Sequence, residues 1–193
     1  MNMLIGIAAI VLIGLIVVGI YNKLVKLRIK VDEGWADIDT QLKRRYDLIP
    51  NLVETVKGYA DHESGTLEAV VKARTAAMEA PSGDLKAQSA AENMLSSTLK
   101  SIFALAEAYP ELKANTNFME LQQTLTDIEE HIQLSRRYYN GTVKDYNTQV
   151  QVFPNNILAG LFGFKNREFF EADEEEKENV KVDFNKDKAP DAE

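Results

Sequence analysis

Residues 3–21 run without a single charged side chain, and twelve of them are Leu, Ile or Val. No other feature limits the possible folds as sharply. As a helix rising ~1.5 Å per residue, the run spans roughly 28 Å, close to the ~30 Å hydrocarbon core of a bilayer. At about −0.3 to −0.6 kcal/mol for each Leu, Ile or Val, insertion is strongly favoured. Residues 1–22, with the run from Leu4 to Ile20 at their centre, are therefore assigned to a transmembrane anchor that meets lipid through residues 3–21. Tyr21 stands where an interfacial aromatic belongs. A cleaved signal peptide would carry a basic n-region, a shorter apolar core and a small-residue cleavage site. No Lys or Arg precedes this run, which ends in Tyr21-Asn22-Lys23, so an uncleaved anchor is expected. Lys23, Lys26, Arg28 and Lys30 follow it closely. The positive-inside rule then places the N-terminus outside and the following domain on the cytoplasmic side of the inner membrane. Gly6, Gly14 and Gly19 do not form a GxxxG pair, so no dimerising anchor is assigned.

The apolar spacing stays helical beyond the anchor. Leu24, Leu27, Val31, Trp35, Ile38, Leu42 and Ile49 share one face, with no Pro or Gly cluster before them. One long helix leaving the membrane is expected, with Gly34 a weak point. Pro50 either kinks it or opens a second helix, and Leu52, Val53, Val56, Tyr59, Leu67, Val70 and Val71 carry the pattern to about Met78. Residues 80–84 read as a loop. A third helix is predicted from Leu85 to Ala108, with its stripe on Met94, Leu95, Leu99, Ile102, Phe103 and Ala106. Tyr109-Pro110-Glu111-Leu112 breaks it, and Asn117 with Glu120 suggests a capped helix start. The last helix has the most regular seam: Phe118, Leu121, Leu125, Ile128, Ile132, Ser135, Tyr139, Val143, Tyr146 and Val150. That seam carries the helix through Asn140-Gly141, and Phe153-Pro154 ends it. The expected fold is all-α: the transmembrane helix continues into an elongated antiparallel bundle of about four helices over residues 23–153.

Residues 154–170 are expected to form an apolar C-terminal strap, packed on the bundle end or touching a partner or the membrane. From Glu168 to Glu193 eleven acidic residues face four lysines, so nearly all of the net charge of −8 lies there. Residues 171–193 are expected to be a disordered acidic tail. The rest is almost neutral, which disfavours a nucleic-acid partner.

The chemistry of an enzyme is missing from the pattern. There is no cysteine, and only His62 and His131 could supply imidazole. A bundle di-iron site uses Glu-x-x-His pairs, but Tyr59 and Ile128 stand three residues before the histidines. Clustered glycines for phosphate and a nucleophile elbow are likewise missing. No enzyme activity, cofactor or metal is expected. Two clusters remain rich in functional groups: Trp35, Arg44, Arg45 and Tyr46, and Arg136, Arg137, Tyr138 and Tyr139. Arg and Tyr of this kind either bridge neighbouring helices or form a partner surface.

Residues 35–59, from Trp35-Ala36-Asp37-Ile38-Asp39 through Arg44-Arg45-Tyr46 and Ile49-Pro50-Asn51 to Tyr59, resemble the signature block of the bacterial LemA family. Ala73-Arg74, residues 108–112, Asn117-Phe118 with residues 120–122, residues 137–140, Tyr146-Asn147, Phe153-Pro154 and Phe169-Phe170 extend the resemblance, which covers about residues 4–170. Phe169 stands where the family usually has Tyr. The resemblance implies a small membrane-anchored helical bundle without established enzymatic activity, similar to membrane-associated scaffolds that include a magnetosome member. Sequence and resemblance together predict a non-enzymatic scaffold or interaction protein. It would form a homo-oligomer or engage another membrane protein. The rivals are an accessory subunit of a membrane enzyme or envelope-stress system, and a lipid-remodelling protein.

Overall fold

A computed structural model describes residues 1–60, 62–81 and 83–170, and the side chain of Asn2 is not among the details described. The tail from residue 171, predicted to be disordered, lies outside the described residues. The described residues form helices α1 (Asn2–Lys57), α2 (Ser64–Met78), α3 (Leu85–Ala106), α4 (Pro110–Lys113), α5 (Thr116–Gln151) and α6 (Asn155–Phe162), with no strand among them. The fold is all-α, as the periodicity predicts.

Helix α1 continues without a break from the apolar run to Lys57, and residues 3–16 touch nothing that removes them from solvent. Its lower half pairs with α5 along their full common length. The pairing is antiparallel: Trp35 meets Tyr139, Arg45 meets Glu129 and Tyr59 meets Asn115. At Gly34 a Cβ would lie 3.3 Å from both the Cα of Tyr139 and the Cδ1 of Tyr138. The predicted weak point is thus a place where the two helices approach too closely for a side chain to enter without a shift.

Two clusters form the core. In the distal cluster the α2–α3 hairpin joins the long pair, and Ile49, Leu52, Val56, Val70, Leu95, Leu99, Ile102, Leu112 and Phe118 pack together. In the proximal cluster only α1 and α5 remain as long helices, and α6 with residues 163–170 covers Leu24, Val31, Ile38, Ile132, Val143 and Tyr146.

Pro50 does not end α1. It lacks the N–H that would bond to the carbonyl of Tyr46, one turn earlier. Arg74 of α2 replaces that donor, with Nε 2.8 Å from the Tyr46 oxygen. A proline in one helix is therefore satisfied by an arginine from its neighbour.

Several sequence expectations are corrected. The cap of α5 is Asn115, whose side chain accepts from the Phe118 N–H at 3.0 Å, not Asn117. Phe118 must already be helical to reach the core, so the helix begins one half-turn earlier. The buried seam residue after Ile132 is Arg136, not Ser135, and Met94 is 60% exposed rather than on the core stripe. The tail after Pro154 begins as a helix, α6, before it becomes a strap. Gly163 ends α6 in the left-handed region at φ 73°, where a side chain would be strained, and the Phe164 N–H returns to the Ala159 carbonyl.

Candidate functional site

The two functionalised clusters of the sequence converge where the apolar cores meet. Arg45 projects from the seam of α1 and is fully buried. Its Nη2 pairs with Glu92 of α3, which is also fully buried, while Nη1 donates to Glu129 of α5 at 2.6 Å and to Ser96 at 2.9 Å. The hydroxyl of Tyr46 donates to the other oxygen of Glu92, and the Gln88 amide donates to that oxygen at 2.6 Å. Burial, together with the Glu92 charge and hydrogen bond, holds the Tyr46 phenol well above its ordinary range. Tyr46 therefore remains a neutral donor.

This layer follows from the seam spacing. Ile38, Leu42, Arg45, Ile49 and Leu52 share the core face of α1, and Glu92, Leu95, Leu99 and Ile102 share that of α3. Each helix thus puts one charge where an apolar residue is expected. A buried charge is tolerated only when paired and hydrogen-bonded, so these helices fit in a single register.

One turn and more toward the anchor, the second arginine makes a different bridge. Arg136 directs Nη1 and Nη2 to Asn93 of α3, each at 3.2 Å, and its guanidinium stacks 4.6 Å from the centroid of Phe170. Phe170 is fully buried and also packs against Trp35, with Trp35 edge-on to Tyr139. Burial raises the pKa of Tyr139, whose hydroxyl donates to the Glu168 carbonyl at 3.0 Å.

The strap is held mainly by its backbone. Asn140 donates to the Phe170 carbonyl and accepts from the Phe170 N–H, both at 2.9 Å. Asn147 does the same for Arg167, at 2.9 and 2.8 Å. The asparagines stand seven positions apart on α5, and their strap partners three. Seven helical residues rise about 10.5 Å, and three extended residues reach about 10 Å, so both clamps close at once. Arg167 Nη2 also bonds to Asp32 of α1 at 2.8 Å, with both side chains largely exposed.

The eight singled-out residues therefore divide. Arg45, Arg136 and Tyr139 are buried and bridge helices, so they are unavailable to a partner; Trp35 and Tyr46 are half-buried beside them. Arg44, Arg137 and Tyr138 face solvent. Sequence reasoning missed Glu92, Asn93, Ser96 and Gln88; Asn140 and Asn147 were read as part of matching motifs, not as clamps on the strap. The usable signal was a charged residue at a seam position of each helix, Arg45, Glu92 and Arg136; the arginines stood out only as members of the two clusters, not as seam residues. His62 and His131 are both exposed, and among the described residues no three His, Asp or Glu side chains gather to hold a metal.

An uninterrupted helix with one window apolar and long enough to cross a membrane, continuous with a polar-pinned helical bundle, defines a membrane-associated helical protein. The chain belongs to the LemA family, whose sequence profile matches residues 34–184. Among curated relatives, Magnetosome proteins MamQ 1 and MamQ 2 of Paramagnetospirillum magneticum are each 24% identical over 175 residues, 78% of this chain and 64% of theirs. The chain thus spans less than two thirds of their length. Protein LemA of Metamycoplasma hominis is 25% identical over 167 residues, 84% of this chain and 74% of that protein.

Proposed function

We propose that the protein is a non-enzymatic, membrane-anchored scaffold that self-associates at the cytoplasmic face of the inner membrane. The observation behind this reading is the continuity of α1. A helix that runs from the apolar segment to Lys57 transmits the anchor's direction to the whole bundle. A flexible tether would leave the bundle free to turn; a rod presents the same surfaces at the same height in every copy. Arg44, Arg137 and Tyr138 are exposed on the α1 and α5 surfaces, and Arg and Tyr are enriched among interface anchors. The basic residues after the anchor support a cytoplasmic bundle, and the relation to magnetosome proteins supports work at a membrane.

The test exploits a chain without native cysteine. Tyr138→Cys and Arg137→Cys, introduced singly in the full-length protein in its membrane, are treated with a short bifunctional thiol reagent. A dimer-sized product that depends on the cysteine position is expected. A strict monomer by light scattering in mild detergent, together with no crosslinked partner in the membrane, overturns the reading. An impermeant thiol label reports which side the bundle occupies.

A further inference from the structure

We infer that α6 is a second membrane contact: its outward face lies in the headgroup layer of the same leaflet the anchor leaves. The inference rests on residues 3–21 crossing the bilayer. Helix α6 turns Asn155 and Ala159 to the bundle, where they are buried. The opposite face carries Ile157 at 61% and Leu161 at 75% exposure, and Phe153 just before the helix is 79% exposed. Single exposed apolar residues are ordinary, but a clustered apolar face marks an interaction surface.

Position selects lipid as the occupant. Tyr21 is the last residue of the apolar run, and its ring meets Phe162 at 5.0 Å and Phe164 at 5.7 Å between centroids. Whatever touches Tyr21 lies at the bilayer surface. The interfacial zone on each side is about 5–7 Å deep, and a helix with its side chains is about 10–12 Å across, so α6 cannot stand clear of it. Charge agrees. Residues 151–167 contain no Asp or Glu; Lys165 and Arg167, the latter paired with Asp32, follow α6, and Lys23, Lys26, Arg28 and Lys30 lie on the stretch of α1 that leaves the apolar run. Arg28 sits 5.4 Å over the Phe164 ring, so its guanidinium is at the same level. An apolar face with a basic margin is the composition that settles into an anionic interface.

The contact gives the anchored bundle two points of support. One helix through a bilayer leaves tilt and rotation to its neighbours; a second contact beside it restricts both.

The experiment uses the full chain in vesicles of phosphatidylcholine and phosphatidylglycerol. Leu161→Cys, Ile13→Cys and Asp127→Cys are each labelled with an environment-sensitive fluorophore. Asp127 is exposed on the distal half of α5. Quenching by iodide in the water is compared with quenching by lipids carrying a nitroxide at a shallow chain position. For a face buried ~5–10 Å deep, the Leu161 label should show about three-fold less iodide quenching than the Asp127 label and clear quenching by the shallow lipid. Free access of iodide to the Leu161 label, with the Ile13 label quenched by lipid, overturns the inference and leaves the anchor intact. Access of iodide to both overturns the bilayer reading and the inference with it. A Leu161 label sheltered from iodide but blind to the nitroxide lipid means that a second copy or another protein covers α6, which also overturns it.

Discussion

The distal and proximal halves bury the same two helices by different means. In the distal half a hairpin of two further helices supplies Leu67, Val70, Leu95, Leu99 and Ile102, and the core is mainly aliphatic, with Phe118 its one large buried ring. In the proximal half no third long helix is present among the described residues, and α6 and the strap supply Ala159, Phe164 and Phe170 against Tyr139 and Tyr146. A pair of helices exposes one side of its shared seam. The distal half closes that side with another amphipathic unit, whose contacts are largely local in sequence. The proximal half closes it with an extended segment, which has no hydrogen bonds of its own and must take them from α5. Asn140, Asn147 and Tyr139 provide them. Aliphatic packing thus dominates one end, and aromatic packing with directional polar contacts dominates the other. The Arg45 and Arg136 layers separate the two.

The sharpest way to break this division is at the shared layer. Arg45→Met leaves Glu92 buried without its cationic partner, and should destabilise both halves by about 3–5 kcal/mol in urea unfolding. A loss below about 1 kcal/mol would show that the layer does not join them. Phe170→Ala should follow, at about 3 kcal/mol. Its effect should be confined: amide exchange should quicken in residues 24–42 and 139–147 and stay unchanged in α2 and α3. Uniform acceleration would mean that the halves unfold as one. Arg74→Leu, which strands the Tyr46 carbonyl, should cost about 2 kcal/mol. Most of that loss should return in the Arg74→Leu/Pro50→Ala double variant, where the backbone N–H is restored; strict additivity would remove the coupling.

Alkaline pH offers a milder probe. The buried Tyr46, Tyr139 and Tyr146 hydroxyls all have raised pKa values, chiefly through burial. Folding therefore favours their neutral forms. Stability should be full below about pH 10, where unfolded tyrosine ionises, and fall as pH rises beyond it. Tyr46→Phe should flatten that fall in melting temperature, and an unchanged slope would assign it to the other raised tyrosines, Tyr109, Tyr139 and Tyr146. The smallest effect is expected for Arg167→Ala, since an exposed ion pair with Asp32 contributes about 0–1 kcal/mol; a larger loss would place unexpected weight on the strap's outer edge.

The long helices were legible because a seam repeating every three or four residues survives any tertiary arrangement. The path through Asn140-Gly141 was legible for that reason. Pro50 was ambiguous because its remedy, Arg74, lies on another helix. Asn115 and Asn117 offer the same capping chemistry, and only the burial of Phe118 chooses between them. Glu92 resembles any solvated helical glutamate until Arg45 is placed beside it. The strap was least legible, since Asn140 and Asn147 read its backbone rather than any side-chain pattern.

The α1–α5 pairing has a consequence for synthesis. Trp35 is made more than a hundred residues before its partner Tyr139. At roughly 5–20 residues per second, ribosomal elongation leaves the α1 seam waiting on the order of ten seconds for α5. Phe170, which closes the proximal half, comes later still. Leu24, Val31, Ile38 and Leu42 therefore stay without their α5 partners throughout that interval, so the apolar stripe of α1 is bare until the last third of the chain is made.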